Sequence, residues 1–274
     1  MNLDTQPLVS IRGLSVTYHG GNNAALTNIN LDIRTGERLA IIGESGSGKS
    51  TLALAIAGLL PAAAQIGGKI EWPSFRGQTR YVPQGGHDIG FVFQDSSASL
   101  DPVMPVGKQI AEVARTHLGL GWADAYSRAR DLLARVRLPS PESALGAYPH
   151  QLSGGQRQRA AIAAATAAAP RLLIADEATS ALDTLVQADI VALVRQLVAE
   201  DGMTLLFVSH DIALASQLAD RIAVFRHGEM VELGEAAQIT QRPHHTYTRA
   251  LLAAHIGLDT EPLLKRPAHG NPNA

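Results

Sequence analysis

The chain of 274 residues contains no cysteine. Disulfides, thiolate zinc sites and cysteine-bound iron–sulfur clusters are therefore excluded, and any metal must be held by oxygen or imidazole. Aromatic residues make up only 4%, so helices must pack on aliphatic and small side chains. Together with abundant alanine, this favours an α/β design over an all-β one. Neither sign of charge dominates: the formal net charge is −2. Without a long Lys/Arg run, broad electrostatic binding to nucleic acid is not expected. Long apolar runs are also missing. The two most apolar stretches, 51–66 and 160–175, are broken by Pro61 and Pro170, and both fall short of the roughly 20 residues that cross a bilayer. The first ten residues carry Asp4 and lack the basic start and apolar centre of a signal peptide. The expectation is a cytoplasmic protein whose partners supply any membrane spans.

What is present suffices for a sizeable core, because 46% of the residues are hydrophobic, enough for one large domain or two modest ones. From Leu8 to Tyr18 and from Leu26 to Ile33, apolar residues recur mostly at every second position. That is the period of half-buried strands and predicts an antiparallel β-layer at the start. The run Leu39–Ile42 is instead continuously apolar and leads into glycine-rich sequence, as expected for a strand buried on both faces. Similar runs at Phe91–Phe93, Leu172–Ala175, Leu205–Val208 and Ile222–Phe225 predict the core of a parallel or mixed sheet. Between Gly107 and Ala147 the spacing turns helical, as in Ile110, Val113, Ala114 and then Leu132, Leu133, Val136. An inserted helical subdomain over about 95–165 is the result. After about Glu235 the sequence becomes polar and rich in His and Pro. The main body is thus placed at 1–235 and a C-terminal extension, a docked helix followed by a loose tail, at 236–274.

The chemistry begins at Gly43-Glu-Ser-Gly-Ser-Gly-Lys-Ser-Thr51, which fits G-x-x-x-x-G-K-[ST] between a predicted strand and a predicted helix. Gly43, Ser45, Gly46 and Gly48 belong to a loop whose backbone N–H groups can turn inward around phosphate oxygens, at the positive end of a helix dipole. Lys49 adds a charge for the β- and γ-phosphates, Ser50 a hydroxyl for Mg²⁺, and Thr51 can reach the α-phosphate. The second element is the apolar strand ending in Asp176 and Glu177. Adjacent residues on an extended strand point to opposite sides, so the two acids have separate roles: Asp176 toward Mg²⁺, Glu177 toward the attacking water.

Leu152-Ser-Gly-Gly-Gln-Arg-Gln-Arg159 resembles the signature sequence of ABC ATPases. Physically it repeats the anion-binding design, with Ser153 able to cap a helix that begins at the glycines. The resemblance implies an α/β P-loop NTPase core and ATP with Mg²⁺. It also implies a head-to-tail dimer in which Ser153, Gly154, Gly155 and Gln156 of one subunit close over the ATP held by the other. Further landmarks match in order. Tyr18 corresponds to the aromatic residue that stacks on adenine. Gln94 corresponds to the glutamine that touches Mg²⁺ or water and joins the helical subdomain to the core. Ser180-Ala-Leu-Asp183 corresponds to the D-loop that crosses the dimer, and His210 to the histidine that contacts the γ-phosphate. Together these span roughly residues 8–235. Ala178 departs from the pattern, since importer subunits commonly carry proline after the catalytic glutamate, but every reactive group stays in place.

The segments Asp95–Glu112 and Arg242–Leu252 are similar to those of dipeptide, oligopeptide and nickel importers. This branch implies an ATPase subunit at the cytoplasmic face of the bacterial inner membrane. Its partners would be two transmembrane permeases, a second ATPase subunit, identical or paralogous, and an extracytoplasmic solute-binding protein reached through the permeases. The alternative is a non-transport ABC ATPase acting on nucleic acid or ribosomes. Such chains usually carry a long coiled-coil insertion or tandem cassettes, which this sequence lacks. A regulatory module that senses ATP without turnover would predict a damaged Glu177 or His210, and both are intact. His244, His245, His255 and His269 lack the tight spacing of a metal sensor.

Overall fold

The computed structural model describes residues 6–18, 24–74, 81–95, 99–178 and 183–259. The elements run β1 (Pro7–Thr17), β2 (Leu26–Arg34), β3 (Arg38–Ile42), α1 (Lys49–Ala57), β4 (Gln65–Glu71), β5 (Ile89–Val92), α2 (Val106–Leu118), α3 (Trp122–Arg135), α4 (Pro141–Gly146), a 3-10 turn (Pro149–Gln151), α5 (Gly154–Ala165), β6 (Leu172–Asp176), α6 (Thr184–Asp201), β7 (Thr204–Ser209), α7 (Ile212–Leu218), β8 (Arg221–Arg226), β9 (Glu229–Glu235), α8 (Ala236–Gln241) and α9 (Thr246–Asp259). Among the described residues, no helix is long and apolar enough to cross a membrane.

The strands form two sheets: a three-stranded antiparallel sheet in the order β2-β1-β4, and a six-stranded sheet in the order β5-β6-β7-β3-β8-β9. In the larger sheet every neighbouring pair is parallel except β8 with β9. The continuous apolar runs have a direct cause, because alternate residues of these strands feed two separate cores. Ala40, Ile42, Leu173, Ala175, Leu205, Phe207, Ile222 and Val224 face a core shared with helices α2, α3, α6 and α7. Leu39, Ile41, Leu172, Ile174, Leu206, Val208, Ala223 and Phe225 face the opposite core, filled by Leu8, Ile11 and Leu31 of the small sheet and by Leu52 and Ile56 of α1. Each strand residue is thus removed from water whichever way it points, which is why period-two alternation disappears.

Two strands have no counterpart in the apolar pattern. In β4, six of the seven residues are exposed and two are glycines, so hydrogen bonding to β1 alone recruits it as an edge strand. In β9, none of the residues is fully buried and three are glutamates. The polar extension supplies two helices, α8 and α9, where one docked helix is predicted.

The helical insertion packs on itself through α2, α3 and α4, and α2 and α3 also contact α5. Helix α5 stops at Ala165, short of the end of the alanine-rich run. The Thr166 hydroxyl turns back to donate to the Ile162 carbonyl at 2.9 Å, and Pro170 follows.

Candidate functional site

Parallel strands deliver their C-terminal ends to one edge of a sheet, and the order β5-β6-β7-β3 makes four successive exits neighbours. This is the place where open α/β sheets hold ligands. Gln94 follows β5, Asp176 ends β6, His210 follows β7, and the glycine loop follows β3 and opens α1 at Lys49.

The loop is held tightly from outside. Gly43 has φ 151°, and a Cβ there would lie 2.2 Å from the Phe225 carbonyl oxygen. Gly48 has φ 101°, and a Cβ there would lie 2.6 Å from the Ala25 oxygen. No side chain fits either position, because backbone rather than a movable group is the obstacle. The Gly228 N–H, in the β8–β9 turn, donates to the Ser47 carbonyl at 3.0 Å. The crown of the loop, Ser45 and Gly46, is exposed.

Lys49 is only 3% exposed, and its ammonium donates to the carbonyls of Gly43 and Glu44 at 2.8 Å each. Burial lowers its pKa, opposed by the nearby charges of Glu177 and Asp176. The Glu177 carboxylate lies 3.9 Å from that ammonium. The same carboxylate accepts from Gln94 Nε2 at 3.1 Å and lies 3.8 Å from His210 Nδ1. Three residues that follow three different strands therefore converge on one carboxylate.

Asp176 is buried, which raises its pKa, while the hydrogen bond from Ser50 lowers it. The Ser50 hydroxyl donates to Asp176 Oδ1 at 2.9 Å. This pair of hard oxygen donors beside a phosphate loop suits Mg²⁺, which takes few protein ligands and keeps most of its waters. The separation of the two acids has a cause other than strand alternation. The strand ends at Asp176, and Glu177 adopts φ 44°, a left-handed conformation that costs a non-glycine residue about 1–3 kcal/mol. Its N–H donates to the Val208 carbonyl of β7 at 3.0 Å, which holds the turn.

Tyr18 comes to the first turn of the loop helix, its hydroxyl donating to Thr51 Oγ1 at 3.3 Å. Ser153, Gly154, Gly155 and Gln156 lie elsewhere. Ser153 caps α5 by accepting the Gln156 N–H at 3.3 Å, while the Gln156 side chain accepts the Ser153 N–H at 2.9 Å. A Cβ on Gly155 would sit 3.1 Å from Val186 Cγ1, and Asp183 caps the helix carrying Val186 by accepting its N–H at 3.0 Å. The signature and Asp183 thus form a second, separate cluster. Among the described residues, no hydrogen bond or ion pair joins it to the glycine loop. Residues 180–182 of the D-loop match lie outside the described residues, as do 96–98 and 260–274.

Two participants escape sequence reasoning. Ser47 is 4% exposed and lies inside the loop pattern, so the pattern itself could have flagged it. Tyr247 accepts the Glu44 N–H at 3.2 Å, a contact across 203 positions for which no local signal exists.

With this geometry in hand, comparison with known proteins is direct. The ABC transporter family model matches residues 26–180. The chain belongs to this family. It is 42% identical over 268 residues to a protein of Brucella abortus (strain 2308) named as a peptide import ATP-binding protein, covering 95% of this chain and 81% of that one. It is 44% identical over 262 residues to the peptidoglycan transport ATP-binding protein YejF of Agrobacterium fabrum. That match covers 92% of this chain and 47% of the relative, so the chain spans about half the length of that protein. Among solved structures, a dimeric post-hydrolysis state of an ATP-binding cassette bound to ADP and Pi superposes with TM-score 0.72 at 31% identity, covering 83% of this chain and 98% of that one. This ABC family member therefore carries the ATP-binding cassette fold.

Proposed function

We propose that the chain is the ATP-hydrolysing subunit of an ABC importer, driving uptake of peptides, nickel or similarly small solutes across a bacterial inner membrane from its cytoplasmic face. The convergence of Lys49, Gln94 and His210 on Glu177, beside the Ser50–Asp176 pair, carries the reading. Glu177 orients or deprotonates the attacking water, Gln94 and His210 fix that carboxylate and meet the γ-phosphate side, and Lys49 meets the β- and γ-phosphates. Tyr18 takes the adenine. Magnesium, held by Ser50, Asp176 and Gln94, would neutralise charge building on the phosphates. Little covalent chemistry is asked of the protein, so positioning and electrostatics supply most of the acceleration.

The cluster of Ser153, Gly154, Gly155, Gln156 and Asp183 serves the nucleotide of a second cassette, identical or paralogous. Its lack of any hydrogen bond or ion pair to the glycine loop of its own chain, among the described residues, supports this reading, as does the dimer of the solved ATP-binding cassette. An apolar cleft of about 450 Å³ beside Gln94, lined by Leu59, Phe91, Phe93 and Val113 among others, leaves Leu59 and Phe93 48% and 39% exposed. A docking segment of a permease suits this cleft, with the solute-binding protein engaged on the far side of the membrane. The import names of the relatives support transport and lend nothing to a role on nucleic acid or ribosomes.

The test is Glu177→Gln, which keeps shape and removes the base. Turnover should fall by about 10²- to 10⁴-fold while ATP binding persists and an ATP-dependent dimer accumulates in size-exclusion chromatography. Undiminished turnover would refute the assignment.

A further inference from the structure

The segment Arg242–Leu252 enters the functional reading only through its likeness to other importers, yet one of its side chains reaches the phosphate loop. Tyr247 is 7% exposed, with the Arg226 guanidinium 4.9 Å from its ring centroid. Burial raises its pKa, so the phenol stays neutral at physiological pH. Its oxygen accepts the Glu44 N–H at 3.2 Å. That N–H and the Gly43 carbonyl belong to the same peptide unit, and the carbonyl accepts the Lys49 ammonium at 2.8 Å. A peptide unit is planar, so its N–H and C=O turn together. One rigid plate is therefore gripped on both edges, by Tyr247 from outside the loop and by Lys49 from within.

The phenol is itself seated by a built support. The Glu232 carboxylate accepts the N–H groups of His244 and His245 at 2.8 and 3.1 Å, and His245 Nδ1 accepts the Tyr247 N–H at 3.1 Å. The chain entering α9 thus has side-chain acceptors for the N–H groups of His244, His245 and Tyr247, and the Tyr247 backbone is fixed before its side chain crosses to the loop.

We propose that Tyr247 is a positioning residue for the nucleotide site: its phenol oxygen sets the Gly43–Glu44 peptide, and through it the Lys49 ammonium, in the orientation that receives phosphate. The C-terminal helix is thereby coupled to nucleotide binding, and linkage makes the coupling reciprocal. This inference rests on the ATP reading above.

The test uses the full chain with Tyr247→Phe, which removes one oxygen and keeps the packed ring. A fluorescent ATP analogue with magnesium should bind about three- to tenfold more weakly, the scale of one lost hydrogen bond. KM should rise with kcat nearly unchanged. The Glu44 amide should exchange faster with solvent while the amides of 248–254 keep their protection. Arg226→Ala, which loosens the ring without removing its oxygen, should weaken binding by a smaller factor. Wild-type affinity or wild-type Glu44 exchange in Tyr247→Phe would overturn the proposal. Failure of the unaltered chain to bind the analogue would count against the ATP reading instead.

Discussion

The molecule contains two glycine-rich helix starts, and they are finished differently. At α1 the N-cap is Gly48, which has no side chain with which to satisfy the first-turn N–H groups. At α5 the N-cap is Ser153, locked with Gln156 in a reciprocal capping box. The first start buries Ser47 and Lys49 beneath an exposed crown, is braced by Phe225, Ala25 and Gly228, and has its lysine already engaged with two carbonyls. The second is partly exposed and rests on α6 through Val186. An anion at α1 fills vacant donors, whereas an anion at α5 must share or displace bonds that the chain already makes. Under the proposed function this contrast makes the first the primary nucleotide receptor, and the second a latch that gains from closing only when another cassette brings a phosphate to it.

The largest effect expected in this comparison comes from Lys49→Ala. Removing a charge-assisted phosphate contact should weaken nucleotide binding by roughly ten- to a hundredfold, read by equilibrium titration, with the circular dichroism spectrum unchanged. Ser153→Ala should do the reverse in a smaller measure. Monomer affinity should stay within about twofold of the parent, while the ATP-dependent dimer of the Glu177→Gln background weakens at least about tenfold. Loss of the cap should also cost about 1 kcal/mol of stability, which for a chain of this size lowers Tm by about 2–4 °C. Equal loss of monomer affinity in both variants would erase the distinction between receptor and latch.

Much of this is legible in the amino-acid sequence. The glycine loop, the Ser153 cap and the five parallel strands follow from residues whose neighbours in sequence are also their partners in structure, or from runs too apolar to face water. Strand β4 is not, because its residues 65–71 are nearly all exposed and only the ladder to β1 recruits them. Strand order is not, although it alone brings Gln94, Glu177 and His210 to one point. The left-handed turn at Glu177 is invisible because a bond to Val208 on another strand imposes it. Tyr247 shows the same limit, since the peptide that it grips is distant in sequence. Asp183 shows a milder version: the sequence pattern speaks of a dimer contact, and the structure adds a helix cap within the chain.

The smallest effect sharpens the comparison from the C-terminal side. Burial would raise the Glu232 pKa, but hydrogen bonds from the His244 and His245 N–H groups and Gln238, with the Thr248 hydroxyl nearby, outweigh it and bring the value from 4.5 to about 2. A folded-state pKa below the unfolded one stabilises the protein above the unfolded value, and the contribution is lost as pH falls toward the folded value. Glu232→Gln should therefore lower Tm by a few degrees at pH 7, on the scale of roughly 1 kcal/mol of lost hydrogen bonding. The gap to the parent should narrow below pH 4.5 and nearly close by about pH 2. Because Glu232 seats the helix that carries Tyr247, the variant should also loosen nucleotide binding at the glycine loop slightly, by about twofold. It should leave pairing through Ser153 untouched. A stability gap that stays constant across this range would mean that Glu232 seats α9 by packing rather than by its charge, and that the receptor draws no support from that charge.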